Sequence, residues 1–233
     1  MNFEKYINSR WFHLFNVLYK LVIVSLLFFF SSTFTAYIFG IIPAGTAIFI
    51  LFRSTNSDKE VPLILSYWLC FKRNYFKALK ISLIIILFVF IMTFNTYYFY
   101  RLAIETKTMF SLIAFFIMIG LDILTLTTII MIMLVSVYFP YLKVYNTIKY
   151  SIMMQFAFPG AFFILIGLII AFIILSYLFW YLIPLLIPGV FFYLVYLLYN
   201  SRLMRLVDGD GILPLDAITY LTEYRTKKVK NKR

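Results

Sequence analysis

The sequence predicts an all-α protein, a polytopic transmembrane helical bundle with about six crossings. Three observations predict this class: 64% of the 233 residues are hydrophobic, only 13% are charged, and the mean hydropathy is +0.97. A soluble domain carries about 25% charged residues, and this chain folded in water would expose large apolar surfaces. We therefore expect lipid to be the solvent for most of the chain.

Four apolar stretches are long enough to supply the crossings. A spanning helix needs about 20 apolar residues, because a rise of about 1.5 Å per residue must cover about 30 Å of hydrocarbon. The stretches are Leu14–Phe52, Ile81–Tyr100, Thr108–Phe139 and Ile152–Asn200. The second and third predict one span each. The fourth is long enough for two spans, hinged over 176–184, where aromatic residues are typical of a membrane interface.

The first stretch is interrupted by GIIPAGTAIF, residues 40–49. Gly40 and Gly45 permit backbone conformations closed to other residues, and Pro43 suits the first turn of a new helix. The second arm, 41–53, rises only about 18 Å, too little for an ordinary bilayer. We expect five full spans plus this short broken helix, with its turn facing protein or water because freed backbone groups cannot face lipid.

Three segments have similar sequences, each with a proline followed by a small residue. They are 42–50, 158–166 and 187–195. Two interpretations stay open. The segments are relics of an internal repeat, which is common in transporters, or each is a helix that starts with proline.

Lys and Arg predict the orientation, because cytoplasmic loops hold an excess of them. Two crossings in the first stretch leave only Arg101 and Lys107 outside, whereas one crossing leaves five cations outside. We therefore predict a multi-pass protein of the cell membrane with both termini cytoplasmic. Residues 1–205 form a single transmembrane domain, and 206–233 form a cytoplasmic tail with a short helix and a basic end.

Residues 60–79 mix large apolar side chains with cations and predict an amphipathic helix in the cytoplasmic interface. Its basic residues are candidates for contact with anionic lipid or with a partner protein, since each cation attracts an anionic surface. They are Lys72, Arg73, Lys77 and Lys80. Ordinary topological anchoring is the alternative.

Asp122 is the only acid deep inside an apolar stretch. A charge in the bilayer centre is costly, so we expect Asp122 to face the bundle interior and to have a partner. Thr125 lies on the same helix face, and Asn95 and Lys20 are candidate partners from other helices. Asp122 is a candidate to bind a proton, a cation or a sugar hydroxyl. A structural hydrogen bond is the alternative.

Residue types exclude several functions. Cys70 and His13 are the only cysteine and histidine, so we expect no intramolecular disulfide, no metal and no cofactor. The net charge is +12, and the Lys and Arg residues that cause it lie between the apolar stretches and in the tail. This distribution argues against a nucleic-acid partner, which would need the cations on one face. The acidic pair in Asp208–Gly211 is typical of a turn rather than a calcium loop. The sequence does not predict an oligomeric state.

Three ordered motifs indicate a family. They are Gly40-x-x-Pro43-Ala44-x-x-Ala47 with Arg53, then Phe71-Lys72-x-Asn74-Tyr75-Phe76-Lys77-Ala78, then Tyr138-Phe139-Pro140 ahead of Asn146-Thr147. Over about residues 12–198 the chain resembles the YesL-like family of small bacterial integral membrane proteins. It departs from the family at 25–28. Many members have a sequence similar to Asn-Leu-Leu-Trp at these positions, whereas this chain has Ser-Leu-Leu-Phe.

The resemblance implies a role in carbohydrate uptake or its regulation and supplies no catalytic residues. Our leading hypothesis is a non-enzymatic accessory protein that contacts sugar transporter subunits of the ABC type. One alternative is a small transporter with a site formed by Asp122 and the helix break at Gly40–Gly45. A second alternative is a membrane-embedded enzyme.

Overall fold

The computed structural model describes residues 10–35, 39–55 and 62–230, and within these ranges it contains eight α-helices and no strand. The helices are α1 Arg10–Phe34, α2 Ile41–Thr55, α3 Leu63–Thr106, α4 Met109–Tyr138, α5 Val144–Ala157, α6 Pro159–Leu178, α7 Ile187–Asp210 and α8 Ala217–Lys230. Five of them, α1, α3, α4, α6 and α7, are long and apolar enough to cross a membrane, and α2 is a shorter apolar helix. The predicted all-α membrane bundle is confirmed. The N-terminal residues 1–9 and the basic end at 231–233 lie outside the described residues.

The short helix α2 is the centre of the bundle. Every residue from Ile42 to Phe52 is buried, against α1, α3, α4 and α7. The turn before it is tight: a Cβ on Gly40 would lie 1.9 Å from Thr35 Oγ1 and 2.8 Å from Ser32 Cα. Only glycine fits where the chain reverses this closely.

Helix α3 is continuous for 44 residues, about 66 Å, roughly twice the hydrocarbon thickness. The amphipathic stretch predicted as an interfacial helix over 60–79 is therefore not a separate element. From Leu63 onward it belongs to the same helix as the span at 81–100, and residues 60 and 61 lie outside the described ranges. The physical reason is that no Gly or Pro occurs between 63 and 106, and a change from amphipathic to apolar composition does not interrupt backbone hydrogen bonds.

Helices α3 and α4 form an antiparallel hairpin joined by Lys107 and Thr108. Lys107 has φ 49°, and the Thr108 hydroxyl caps α4 by accepting a hydrogen bond from the Ser111 amide. The distal part of the hairpin, residues 86–124, is here called the hairpin arm. Within the arm only Ser111 is buried, so each arm helix packs mainly on the other.

The fourth apolar stretch is broken earlier than expected. Besides the hinge around the short 3-10 turn Trp180–Leu182, the chain breaks at Phe158, where α5 ends and α6 begins with Pro159. Proline lacks the N–H that a continuing helix needs, and it restricts the residue before it. All three proline-led segments begin helices, which fits the second interpretation of their similarity. The repeat itself stays a hypothesis.

The chain after α7 folds back onto the end of α2. The Leu215 amide donates to the Val137 carbonyl at 2.9 Å, and Arg53 Nη1 donates to the Leu215 carbonyl at 2.8 Å. The Ala217 amide donates to Ser54 Oγ at 2.9 Å, which places the start of α8 against α2. The division into domains at 205/206 and the orientation of the termini stay predictions.

Candidate functional site

Asp122 lies in the hairpin arm and is partly buried there. Its Oδ2 accepts a hydrogen bond from Thr96 Oγ1 at 2.6 Å. Thr96 directly follows Asn95, one of the partners that the sequence predicted, and Thr96 itself was missed. A sequence signal existed, because an antiparallel hairpin turning at 107–108 brings residues near 96 beside residues near 122.

The other predicted members of this site point elsewhere. Thr125 donates to the Leu121 carbonyl and Asn95 donates to the Ile91 carbonyl, each within its own helix. Lys20 lines a separate pocket with Phe52 and Tyr193. The structure therefore places Thr96 in hydrogen-bond contact with Asp122, and it places Lys20 in a different pocket.

The helix break is also separate from Asp122. A Cβ on Gly45 would lie 2.3 Å from Met133 Sδ, so this part of α2 packs against Met133. On α4, Met133 follows Asp122 by three turns, about 16 Å. Pro43 lies in the first turn of α2 and is buried. The break and the carboxylate do not form one site.

A second polar cluster joins α4 to α5 and was not predicted. Thr127 Oγ1 donates to Gln155 Oε1 at 2.7 Å, and Gln155 Nε2 donates to Thr128 Oγ1 at 2.7 Å. All three side chains are buried. Both the oxygen and the nitrogen of the Gln155 amide are thus hydrogen-bonded. The cluster therefore links α4 to α5 through buried polar groups among apolar side chains.

The predicted basic contact residues divide into two groups. Lys77 Nζ donates to the Pro140 carbonyl at 2.8 Å, and Arg73 pairs with Glu223 and lies over the Tyr220 ring at 4.7 Å. Burial raises the pKa of the Tyr220 phenol, and a hydrogen bond with Asn74 opposes that rise. Lys72 and Lys80 are exposed. Arg73 and Lys77 thus contact other segments of the chain, whereas Lys72 and Lys80 remain available for outside contacts.

Apolar cavities border the first turn of α2. One, of about 430 Å³, lies between α4, α6 and α7, and another, of about 380 Å³, lies along α3. Both are lined by Ile41 and Ile129 and are almost wholly apolar. The second includes Val89 of α3, so the turn at Gly40 lies beside the first half of the 81–100 stretch.

The described residues offer little for covalent chemistry. No group of three or more His, Cys, Asp or Glu side chains lies close enough together to hold a metal ion in this part of the chain. The free thiol of Cys70 is buried. The polar groups described above form hydrogen bonds within apolar helices. They are threonine hydroxyls, the Gln155 amide and the Asp122 carboxyl group.

The comparison with protein families gives one match, over residues 21–96, about a third of the chain. The chain is similar there to the family described as "Protein of unknown function, DUF624". The matched part contains the helix break, Arg53 and the motif at 71–78, and it ends at Thr96. No curated protein and no solved structure matches the chain. The protein is thus a multi-pass helical membrane protein with similarity to a family of unknown function.

Proposed function

We propose that this protein is a non-enzymatic accessory protein of the cell membrane that assists or regulates carbohydrate uptake by contacting the transmembrane part of a transporter. The observation that carries the proposed contact is the hairpin arm. Of its side chains only Ser111 is buried, and its polar side chains Asn95, Thr96 and Asp122 are only partly buried in the described structure.

Asp122 lies deep within an apolar helix, so contact of its carboxyl group with lipid would be costly in free energy. It lies about 20 Å along α4 from Met109 and about 24 Å from Tyr138, far from both ends of an apolar helix. Carboxyl groups at such depth face other protein or water rather than lipid. Within the described residues its carboxyl group accepts one hydrogen bond, from Thr96, and the neighbouring Asn95 is only partly buried. A helix of a partner protein would complete the shielding.

The aromatic side chains of the arm fit the same role. Phe94, Tyr97 and Phe110 expose 64%, 59% and 77% of their surface. Large aromatic side chains supply much of the contact area where proteins associate. The carbohydrate part of the proposal comes from the resemblance carried by the motifs at 40–53 and 71–78, both of which lie within the matched residues.

The transporter alternative requires Asp122 and the helix break to share a site. In the structure a Cβ at Gly40 or Gly45 would overlap neighbouring atoms, and Met133, which packs against Gly45, lies about 16 Å along α4 from Asp122. This arrangement favours the accessory function over a transport site of that composition.

The test is photocrosslinking in the native membrane. A photoreactive amino acid at Phe94 or Phe110 should crosslink to a transporter subunit that mass spectrometry identifies, whereas the same group at Phe163 on α6 is the control position. Asp122→Asn keeps a hydrogen-bonding side chain and should retain the partner, and Asp122→Leu should lose most of it. Crosslinks from the arm to lipid alone would refute the proposal.

A further inference from the structure

A narrow groove is lined by residues of α3, α4 and α5. It has a volume of about 190 Å³ and is here called the α3–α5 groove. Its lining residues are Ile84, Ile85, Phe88, Met92, Leu121, Leu124, Thr125, Thr128, Ile148 and Ile152. Eight of these ten are apolar.

The two hydroxyl groups of the groove are already used. Thr125 donates to the Leu121 carbonyl, and Thr128 donates to the Leu124 carbonyl while it accepts from Gln155. The groove therefore presents a wall without free hydrogen-bond donors along its length. Such a wall suits a hydrocarbon chain and not a polar ligand.

The length of the groove matches one leaflet of a bilayer. From Ile84 to Met92 it extends about 12 Å along α3. Half of a hydrocarbon core of about 30 Å is about 15 Å. A chain in this groove would thus run from one surface of the membrane to near its centre, and it would end before the Thr96–Asp122 pair.

Two cations are close in sequence to lining residues of the groove. Lys80 lies one helical turn before Ile84, and Lys149 directly follows Ile148 on α5. Both side chains are exposed, and neither takes part in an ion pair among the described residues. At the other end, near Met92 and Leu121, the groove carries no cation.

We propose that the α3–α5 groove binds one acyl chain of an anionic phospholipid whose phosphate lies between Lys80 and Lys149. The apolar wall selects the chain, and the cations select the charge of the headgroup. The lipid belongs to the leaflet on the basic side of the protein. Phe88, Met92, Leu121 and Leu124 of the hairpin arm line the groove, but Asn95, Thr96 and Asp122 do not, so retention of the lipid and contact with the partner are measured separately.

The test is native mass spectrometry of the full chain released from nanodiscs of phosphatidylcholine with an equal amount of phosphatidylglycerol. The wild type should retain one phosphatidylglycerol in preference to phosphatidylcholine by about tenfold or more, since each surface cation favours anionic lipid. The double variant Lys80→Gln with Lys149→Gln should lose that preference. Ile152→Trp, which fills the groove, should remove the retained lipid of either headgroup.

Matched controls separate a built site from general attraction. Lys143→Gln with Arg205→Gln removes the same charge from exposed positions that are not next to any lining residue of the groove, and it should leave the preference unchanged. Ile164→Trp places the same bulk on the exposed face of α6 and should leave retention unchanged. Equal loss in the control pair, or no preference in the wild type, would overturn the proposal.

Discussion

Helices α2 and α6 are both apolar, yet the structure covers one with protein and leaves the other bare. In α2 every side chain from Ile42 to Phe52 is buried, whereas in the 20 residues of α6 only Ala161 and Leu165 are buried. Apolar composition alone does not decide which helix protein covers, because hydropathy reports how much a helix avoids water and not what replaces the water. In a membrane, protein and lipid are equally acceptable apolar surroundings.

Small residues explain the difference. Gly45, Ala44 and Ala47 let neighbouring helices approach the α2 backbone closely, which is the usual device for helix packing in membranes. The glycines of α6, Gly160 and Gly167, have open space where a Cβ would stand. The position of small residues, and not the amount of apolar surface, decides which helix becomes the centre.

The largest expected effect comes from truncating a buried ring of α2. Phe49 is fully buried and packs edge-on against Phe192 at 5.4 Å, so Phe49→Ala should lower the free energy of unfolding by about 3–5 kcal/mol. Phe163→Ala on α6, where the ring is 69% exposed, is the matched control and should change it by less than about 0.5 kcal/mol. Denaturant titration in lipid bicelles measures both. Similar losses in the two variants would mean that α6 is covered by the same fold.

Adding one methyl group at a glycine tests close approach. Gly40→Ala should destabilise by about 1–3 kcal/mol, because its Cβ would overlap Thr35 and the Ser32 backbone. Gly167→Ala should be neutral or slightly stabilising, since alanine is the better helix former. Thermal unfolding in detergent compares them, and a neutral Gly40→Ala would contradict the tight turn.

The contact between α2 and the C-terminal segment is smaller in energy and local in effect. Ser54→Ala removes the acceptor of the Ala217 amide and should cost about 1 kcal/mol. The expected readout is faster trypsin cleavage after Arg225 with the rest of the bundle intact. Thr55→Ala is the control, because among the described residues the Thr55 hydroxyl donates to carbonyls of its own helix. Cleavage at equal rates in both variants would show that Ser54 does not hold the segment.

The smallest effect belongs to the ion pair of Arg73 and Glu223, whose side chains are 52% and 43% exposed. Arg73→Gln should lower stability by about 0.5 kcal/mol at most, since exposed pairs are screened by water and salt. The difference from wild type should shrink as ionic strength rises from 50 mM to 500 mM salt. A difference that grows with salt would assign the effect to Arg73 packing on Tyr220.

The sequence predicts which segments are helical because each apolar stretch must satisfy its backbone internally in lipid. The turn at Gly40, the short α2 and the span at 108–139 follow from length and from Gly and Pro alone. The prediction of a separate interfacial helix before 81 was wrong because the change from basic amphipathic to apolar composition near Lys80 does not end a helix, and no Gly or Pro occurs between 63 and 106. The helix start at Pro159 agrees with the interpretation of 158–166 as a segment led by proline, whereas the hinge of the fourth stretch was predicted only at 176–184.

The contacts of the candidate site depend on tertiary packing. Periodicity places Asp122 and Thr125 on one face, but their actual bonds go to Thr96 and to the Leu121 carbonyl. The hydrogen bonds of Gln155 go to Thr127 and Thr128, which lie 28 and 27 positions before it in the sequence. Nothing in one sequence specifies that α5 lies beside α4 at that register, because both helices are apolar on several faces.

The most direct test of a protein-enclosed α2 is labelling from the lipid. Wild-type protein in liposomes that contain a phospholipid with a photoreactive acyl chain is irradiated, digested and mapped by mass spectrometry. The structure predicts dense labelling of 162–178 in α6 and none of 42–52 in α2. Labelling of the two helices to the same extent would contradict the central position of α2.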